Sequence, residues 1–287
     1  MQGNPQFYFL LLRITFPFGA ASVTVLVSVK INDGIVMATD SASSFASGMI
    51  YHNSRKIVNL REGLPLAAMV TGAGGIGNES MDTLLKDLRH RFTGHDPAHK
   101  DWTIDPGDYT LENIAMRLRR FLFEEKSLVH GATTWTKFRL CGYSAGRSLA
   151  EVWEVNLMGE NCPPPSCIQH EQEFGLRWDG EYEALDRLVF GLGTRFNESA
   201  IRHGLSTEDA ATLREKLVPD LYELLFIEAM PMQDAIDLAR YLVDTTIGFV
   251  KYSVSRPKTV GGPIEIASIS KHGGFQWVQR RGEGASN

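Results

Sequence analysis

Cysteine is scarce in this chain of 287 residues: there are three, Cys141, Cys162 and Cys167. So sparse and odd a set excludes a disulfide-stapled secreted scaffold and suits a reducing, cytoplasmic compartment. Charge of one sign is also lacking. The formal net charge is −5 and no long basic run occurs, which argues against nucleic acid or an anionic membrane surface as a partner. The apolar stretch FYFLLLRITFPFGAAS near the start is too short to span a bilayer and is interrupted by Arg13 and Pro17. Clustered metal ligands are missing too. Cys162 and Cys167 bracket three prolines in NCPPPSC with no further ligands nearby, which predicts a loop with free thiols. His95 and His99 in GHDPAH are flanked by Gly94 and Pro97, which disfavour a helix that would bring them together, so solvated loop histidines are expected. Neither a metal nor a cofactor is expected.

What remains is an ordinary globular composition, 43% hydrophobic and 22% charged, on a chain long enough to bury a large core unaided. From Thr24 the sequence TVLVSVKI alternates with period two, Val25, Val27, Val29 and Ile31 on one face and Thr24, Leu26, Ser28 and Lys30 on the other. That is a strand, and Asn32-Asp33-Gly34 turns it into a hairpin with GIVMAT. KIVNL and LPLAAMV, around Arg61-Glu62-Gly63, read as a second strand pair. Met81, Leu84, Leu85, Leu88 and Phe92 then form one helical stripe, and Leu111, Ile114, Ala115, Leu118 and Leu122 another, with Thr110 as N-cap. Strands return over 137–143 and 149–155. Residues 156–183 read as an elaborated loop around one short strand, and 188–192 as a further strand. Helical patterns cover 208–226 and 232–252, and strands close the chain at 264–270 and 275–280. Segregated strands and helices predict an α+β layered fold, and the absence of repeats or linkers predicts one domain, 24–287.

Three chemistry-bearing residues fall at matching places in the opening strands. Thr24 begins the first strand, Asp40 follows the second and Lys56 begins the third. In an antiparallel sheet such positions converge at one edge. An ammonium there lowers the effective pKa of a neighbouring hydroxyl, and the carboxylate compensates the ammonium. If Thr24 were chain-terminal, its α-amine, with a pKa near 8, would serve as general base through a water. The glycines of Thr71-Gly72-Ala73-Gly74-Gly75 allow a backbone N–H to approach a developing oxyanion closely.

The run TVLVSVKINDGIVMATDSASS, followed by SRKIVNL and MVTGAGGIG, resembles the opening of a proteasome β subunit or its bacterial relatives. FRLCGYSAGRSLAEVWEVN, VFGLGTRF and TVGGPIEIASI resemble later parts of the same plan, so the likeness spans about residues 24–280. The resemblance implies a four-layer αββα sandwich of the N-terminal-nucleophile hydrolase type and assembly into a homo-oligomeric ring. It also implies threonine-type peptidase chemistry on peptide or unfolded-protein substrates, with any ATPase partner left unspecified. It places the catalytic roles on Thr24, Asp40, Lys56 and Gly72. Two departures stand out. The family's supporting serine in a Gly-Ser-Gly turn falls on Leu192, and its later aspartate and serine fall on Pro257 and Val260, with Ser253, Ser255 or Thr259 as substitutes. A non-catalytic ring subunit and a small-molecule amidase on the same fold are the alternative readings. Residues 1–23 precede the nucleophile and lack a positive charge ahead of their apolar run, which argues against a signal peptide. They are expected to be a propeptide or an over-extended reading frame whose true initiator codon lies at Val23.

Overall fold

The computed structural model describes residues 24–44, 50–131 and 135–280. The segment 1–23, and with it the propeptide or reading-frame expectation, lies outside them. The described chain is mixed α and β, with two five-stranded antiparallel sheets and helices. The strands are β1 (Val25–Ile31), β2 (Gly34–Thr39), the short β3 (Ser43–Ser44) and β4 (Ile50–Tyr51), β5 (Ile57–Asn59), β6 (Leu66–Gly72), the short β7 (Gly75–Ile76) and β8 (Glu79–Ser80), β9 (Trp135–Gly142), β10 (Glu151–Met158), β11 (Ser166–Gln169), β12 (Gly175–Gly180), β13 (Glu265–Ser270) and β14 (Gly274–Gln279). One sheet runs β12-β1-β2-β13-β14 and the other β11-β10-β9-β6-β5. The first hairpin pairs in register from Leu26 opposite Thr39 to Ile31 opposite Gly34, as the turn chemistry requires.

Among the described residues the α-helices are α1 (Met81–Phe92), α2 (Leu111–Arg119), α3 (Glu183–Phe190), α4 (Phe196–Arg202), α5 (Thr207–Leu221) and α6 (Met232–Tyr252), of which α1, α2, α5 and α6 match the expected helical patterns and α3 and α4 were not expected. The α1 stripe is buried over Met81, Leu84, Leu85, Leu88 and Phe92, and Ser80 caps the helix by accepting from the Thr83 N–H. Thr110 caps α2 in the same way, accepting from Asn113. A π-helical segment, Arg120–Ser127, carries α2 onward and buries Phe121, Leu122 and Phe123. Each fully buried side chain of this size contributes roughly 1.5–3 kcal/mol, so the stripes hold their helices far more firmly than intrinsic propensity does.

The core falls into three clusters. Val58, Ala68, Phe138, Leu140 and Val155 pack against α1 and α2. Val25, Val27, Val29, Trp178 and Ile266 pack against α3, α5 and α6. Leu26, Ile35, Met37, Ile57, Met69, Cys141, Val152 and Ile269 fill the space between the two sheets. That middle cluster is interrupted by charge. Asp179 of β12 accepts from Lys137 Nζ at 2.7 Å, from Tyr182 Oη at 2.9 Å and from Arg139. Arg139 also donates to Ser28 Oγ at 3.1 Å and to Glu154 at 3.2 Å. At the other end of β1, Lys30 is fully buried and donates to the carbonyls of His170 and Glu171, with the Phe174 ring 5.4 Å away. Burial lowers the Lys30 pKa to about 8.

Three expectations need correction. Residues 156–183 hold two strands, β11 and β12, and β12 is a full partner of β1. Its inward positions are Arg177 and Asp179, so buried charge obscured the alternation that marks a strand. Residues 188–192 are not a strand. Residues 188–190 end α3, which buries Ala184, Leu185, Val189 and Phe190 and is capped by Gly191 in the left-handed region, φ 68°, with Leu192 beyond it. A five-residue apolar run carries no period of its own; the helical spacing is visible only from Ala184 onward. The expected helix 208–226 also ends early, at Leu221, with Pro219 in its last turn and Tyr222 extended.

Candidate active site

Strand pairing brings three of the expected residues together. Thr24 stands just before β1, and Asp40 just after β2 on the neighbouring strand. The Val25 N–H donates to Asp40 Oδ1 at 3.1 Å, which closes the hairpin mouth. Lys56 comes from the other sheet, at the start of β5, where its carbonyl accepts from the Val70 N–H at 3.0 Å. Its ammonium reaches across the gap between sheets and donates to Thr24 Oγ1 at 2.6 Å and to Asp40 Oδ1 at 2.7 Å. All three residues are buried. Asp40 Oδ2 accepts from the backbone of Ala42 at 3.2 Å and of Gly261 at 3.0 Å, so the carboxylate is held at both oxygens. Burial lowers the Lys56 pKa, and the charges of Asp40 and Glu265 oppose that.

Gly72 ends β6 with φ 109°, and a Cβ there would lie 2.3 Å from the Trp135 carbonyl oxygen. Neither the dihedral nor the space admits another residue. Gly72 lines a cavity of about 430 Å³ together with Thr24, Lys56, Thr71, Arg55 and Asp82. Thr24, Lys56 and Gly72 therefore share one cavity, while Asp40 pairs with Lys56 without lining it.

The supporting positions differ from the expectation. Leu192 packs in the apolar cluster beneath the first sheet, and its neighbour Gly193 abuts the side chains of Glu183 and Arg187. What lies against Thr24 is the end of β12. The Glu181 N–H donates to the Thr24 carbonyl at 2.8 Å, and Gly180, φ 89°, has no room for a Cβ beside that same carbonyl. The Glu181 carboxylate accepts from Arg256 at 2.8 Å and from the Glu183 N–H at 3.2 Å. The segment carrying Pro257, Thr259 and Val260 does reach the site, but through the main chain of Gly261 on Asp40. Thr259 and Val260 are themselves buried.

Sequence reasoning missed Glu181, Arg256 and Glu265. Glu265 is fully buried at the start of β13; its Oε2 accepts from the Lys56 N–H at 3.3 Å and its Oε1 has no hydrogen-bond partner among the described residues. Burial raises its pKa. A charged residue at an inward position of a strand, as in PIEIAS, was the signal available. The loop histidines are engaged locally, His95 with Thr93 at 3.0 Å and His99 with Asp96 at 2.7 Å. All three cysteines are free thiols, and burial raises their pKa values to about 11 for Cys162 and about 12 for Cys141 and Cys167. Among the described residues no group of three or more His, Cys, Asp and Glu could hold a metal ion, and no helix is long and apolar enough to cross a membrane.

No family model matches the chain, and no curated protein matches it. Among solved structures it is similar to Anbu (ancestral beta-subunit) from Yersinia bercovieri, with a TM-score of 0.54 and 15% identity over 90% of this chain and 88% of that one. The likeness is one of fold.

Proposed function

We propose that the protein is an N-terminal threonine hydrolase of the proteasome-like type, with Thr24 as nucleophile. The observation that carries the reading is the Lys56 ammonium, buried and bridging Thr24 Oγ1 at 2.6 Å to Asp40 at 2.7 Å. An ammonium so placed favours the alkoxide character of the hydroxyl, and Asp40 keeps the cation from being uncompensated. Attack of Oγ1 on an amide carbonyl carbon forms the C–O bond, and the developing oxyanion is met by the N–H at Gly72. The α-amine of a chain-terminal Thr24 takes the hydroxyl proton through water and passes it to the leaving amine as the C–N bond breaks. Water then hydrolyses the ester by the same route. The working form therefore begins at Thr24, without residues 1–23.

Three core clusters separating two sheets and two sets of helices support a four-layer αββα sandwich over one domain, 24–287. The likeness to an ancestral β subunit supports a homo-oligomeric ring that encloses peptide or unfolded-protein substrates. A purely scaffolding subunit would have no use for a buried lysine shared between a threonine and an aspartate. The test is turnover of a peptide amide by protein whose N-terminus sequences as Thr-Val-Leu-Val. Thr24→Ala should abolish it, and Thr24→Ser should retain a measurable part. Near-wild-type turnover by a folded Thr24→Ala protein, or by protein still carrying residues ahead of Thr24, would sink the assignment.

A further inference from the structure

The cavity beside Thr24 carries an excess of positive charge. Three cations line it, Arg55, Lys56 and Lys86, against the single carboxylate of Asp82. Two of the cations are matched at short range. Lys56 Nζ holds Thr24 Oγ1 at 2.6 Å and Asp40 at 2.7 Å, and Lys86 Nζ holds Asp82 Oδ2 at 2.5 Å. The other oxygen of Asp82 is buried, so this acid turns no free charge toward the space. Arg55 is the remainder. It stands half-buried in the stretch leading into β5, and among the described residues it makes no hydrogen bond or ion pair. Glu265 feels its charge, but no ion pair joins the two, and burial pulls that carboxyl toward its neutral form. The rest of the wall is neutral. The hydroxyls of Ser43 and Ser54 bond each other at 2.6 Å, and Thr71, Val70, Met81 and Ala73 complete much of the lining. A guanidinium presents its N–H donors in a planar fork that fits a carboxylate, and its charge is screened less in a partly enclosed space than on an open surface.

We propose that Arg55 makes this cavity select peptide substrates with a carboxylate side chain, glutamate or aspartate, next to the scissile bond. A bidentate pair with the guanidinium satisfies both groups as they leave water. A cationic side chain meets Arg55 and Lys56 as like charges, and an apolar one covers the guanidinium without giving it an acceptor. The proposal rests on the reading of Thr24 as nucleophile only for which bond is cut; capture of the carboxylate belongs to the wall.

Four fluorogenic peptide amides, identical except for glutamate, glutamine, leucine or lysine next to the scissile bond, test this on the whole protein. The same four peptides without a cleavable group, titrated by calorimetry, read the cavity without the chemistry. Glutamate should exceed glutamine and leucine by about tenfold in kcat/KM and in affinity, as one charge-assisted hydrogen bond provides, and lysine should come last. The advantage should shrink as sodium chloride is raised. Arg55→Gln should bring the glutamate-to-glutamine ratio toward one, Arg55→Lys should keep most of it, and Arg55→Glu should move the preference to lysine. A preference for leucine or lysine in the unaltered protein would overturn the proposal whatever the variants do. So would a glutamate preference that survives in Arg55→Gln, or an equal fall for all four peptides in that variant. If the calorimetric order holds while no peptide is cut, the selectivity stands and the nucleophile assignment falls.

Discussion

Replacing Asp40 by asparagine changes one oxygen to an NH2 and tests the whole junction at once. Oδ1 accepts from the Lys56 ammonium and the Val25 N–H, and Oδ2 from the N–H groups of Ala42 and Gly261. Every partner is a donor, so an amide in either orientation turns its own donors on two of them. The charge is lost as well, while Lys56 remains in place with its side chain 4% exposed. Removing one member of a buried pair costs about 3–5 kcal/mol, because the other is left without compensation. For a domain of this size that lowers Tm by roughly 6–15 °C. Urea unfolding of wild type, Asp40→Asn, Lys56→Met and the double variant gives the cycle. The double variant should be more stable than Asp40→Asn alone, since the stranded cation is gone, with a coupling on the order of 1–3 kcal/mol. A loss below about 0.5 kcal/mol for Asp40→Asn, or strict additivity, would refute the reasoning and place the pair in solvent.

Gly72→Ala forces a Cβ to within 2.3 Å of a backbone oxygen at φ 109°, so it should lower turnover sharply and destabilise by about 1–3 kcal/mol; kinetics and thermal melting read both. Lys30 offers a pH test. Its pKa falls from an ordinary 10.5 to about 8 in the folded chain, so between those values the unfolded state binds more protons and stability rises with pH. The difference in unfolding free energy between wild type and Lys30→Met should therefore grow by about 3 kcal/mol from pH 7 to pH 10.5. A flat difference would show that the lysine is hydrated.

The opening strands were legible because β-branched residues recur at every second position, Val25, Val27, Val29 and Ile31, and Asn32-Asp33-Gly34 favours a tight turn. The α1 and α2 stripes and the Thr110 cap were legible because local chemistry and tertiary burial agree there. The site was legible as far as it sits on these elements, in Thr24, Asp40, Lys56 and Gly72. Glu181 was not, because β12 places charged Arg177 and Asp179 inward and looks like a loop. Leu192 took the family's serine position by sequence spacing alone, whereas the strand that meets Thr24 ends twelve residues earlier at Gly180. Glu265 went unnoticed because an alternating pattern assigns a charge outward, and here the outward face is the interior between two sheets.

Thr24 and Asp40 ride on one sheet, Lys56 and Gly72 on the other. Two greasy surfaces of Leu26, Met37, Met69 and Cys141 would tolerate sliding over each other by a fraction of a side chain with little change in energy. The quartet of Lys137, Arg139, Glu154 and Asp179 does not: Asp179 belongs to the first sheet and the other three to the second, and the contacts of Lys137 and Arg139 with Asp179 hold at a single offset. It works as a dowel between two plates. A lysine 2.6 Å from a hydroxyl loses its grip if the plates shift by one ångström, so the alignment of the Thr24 hydroxyl with the Lys56 ammonium is set by charges that lie outside the cavity those two residues line.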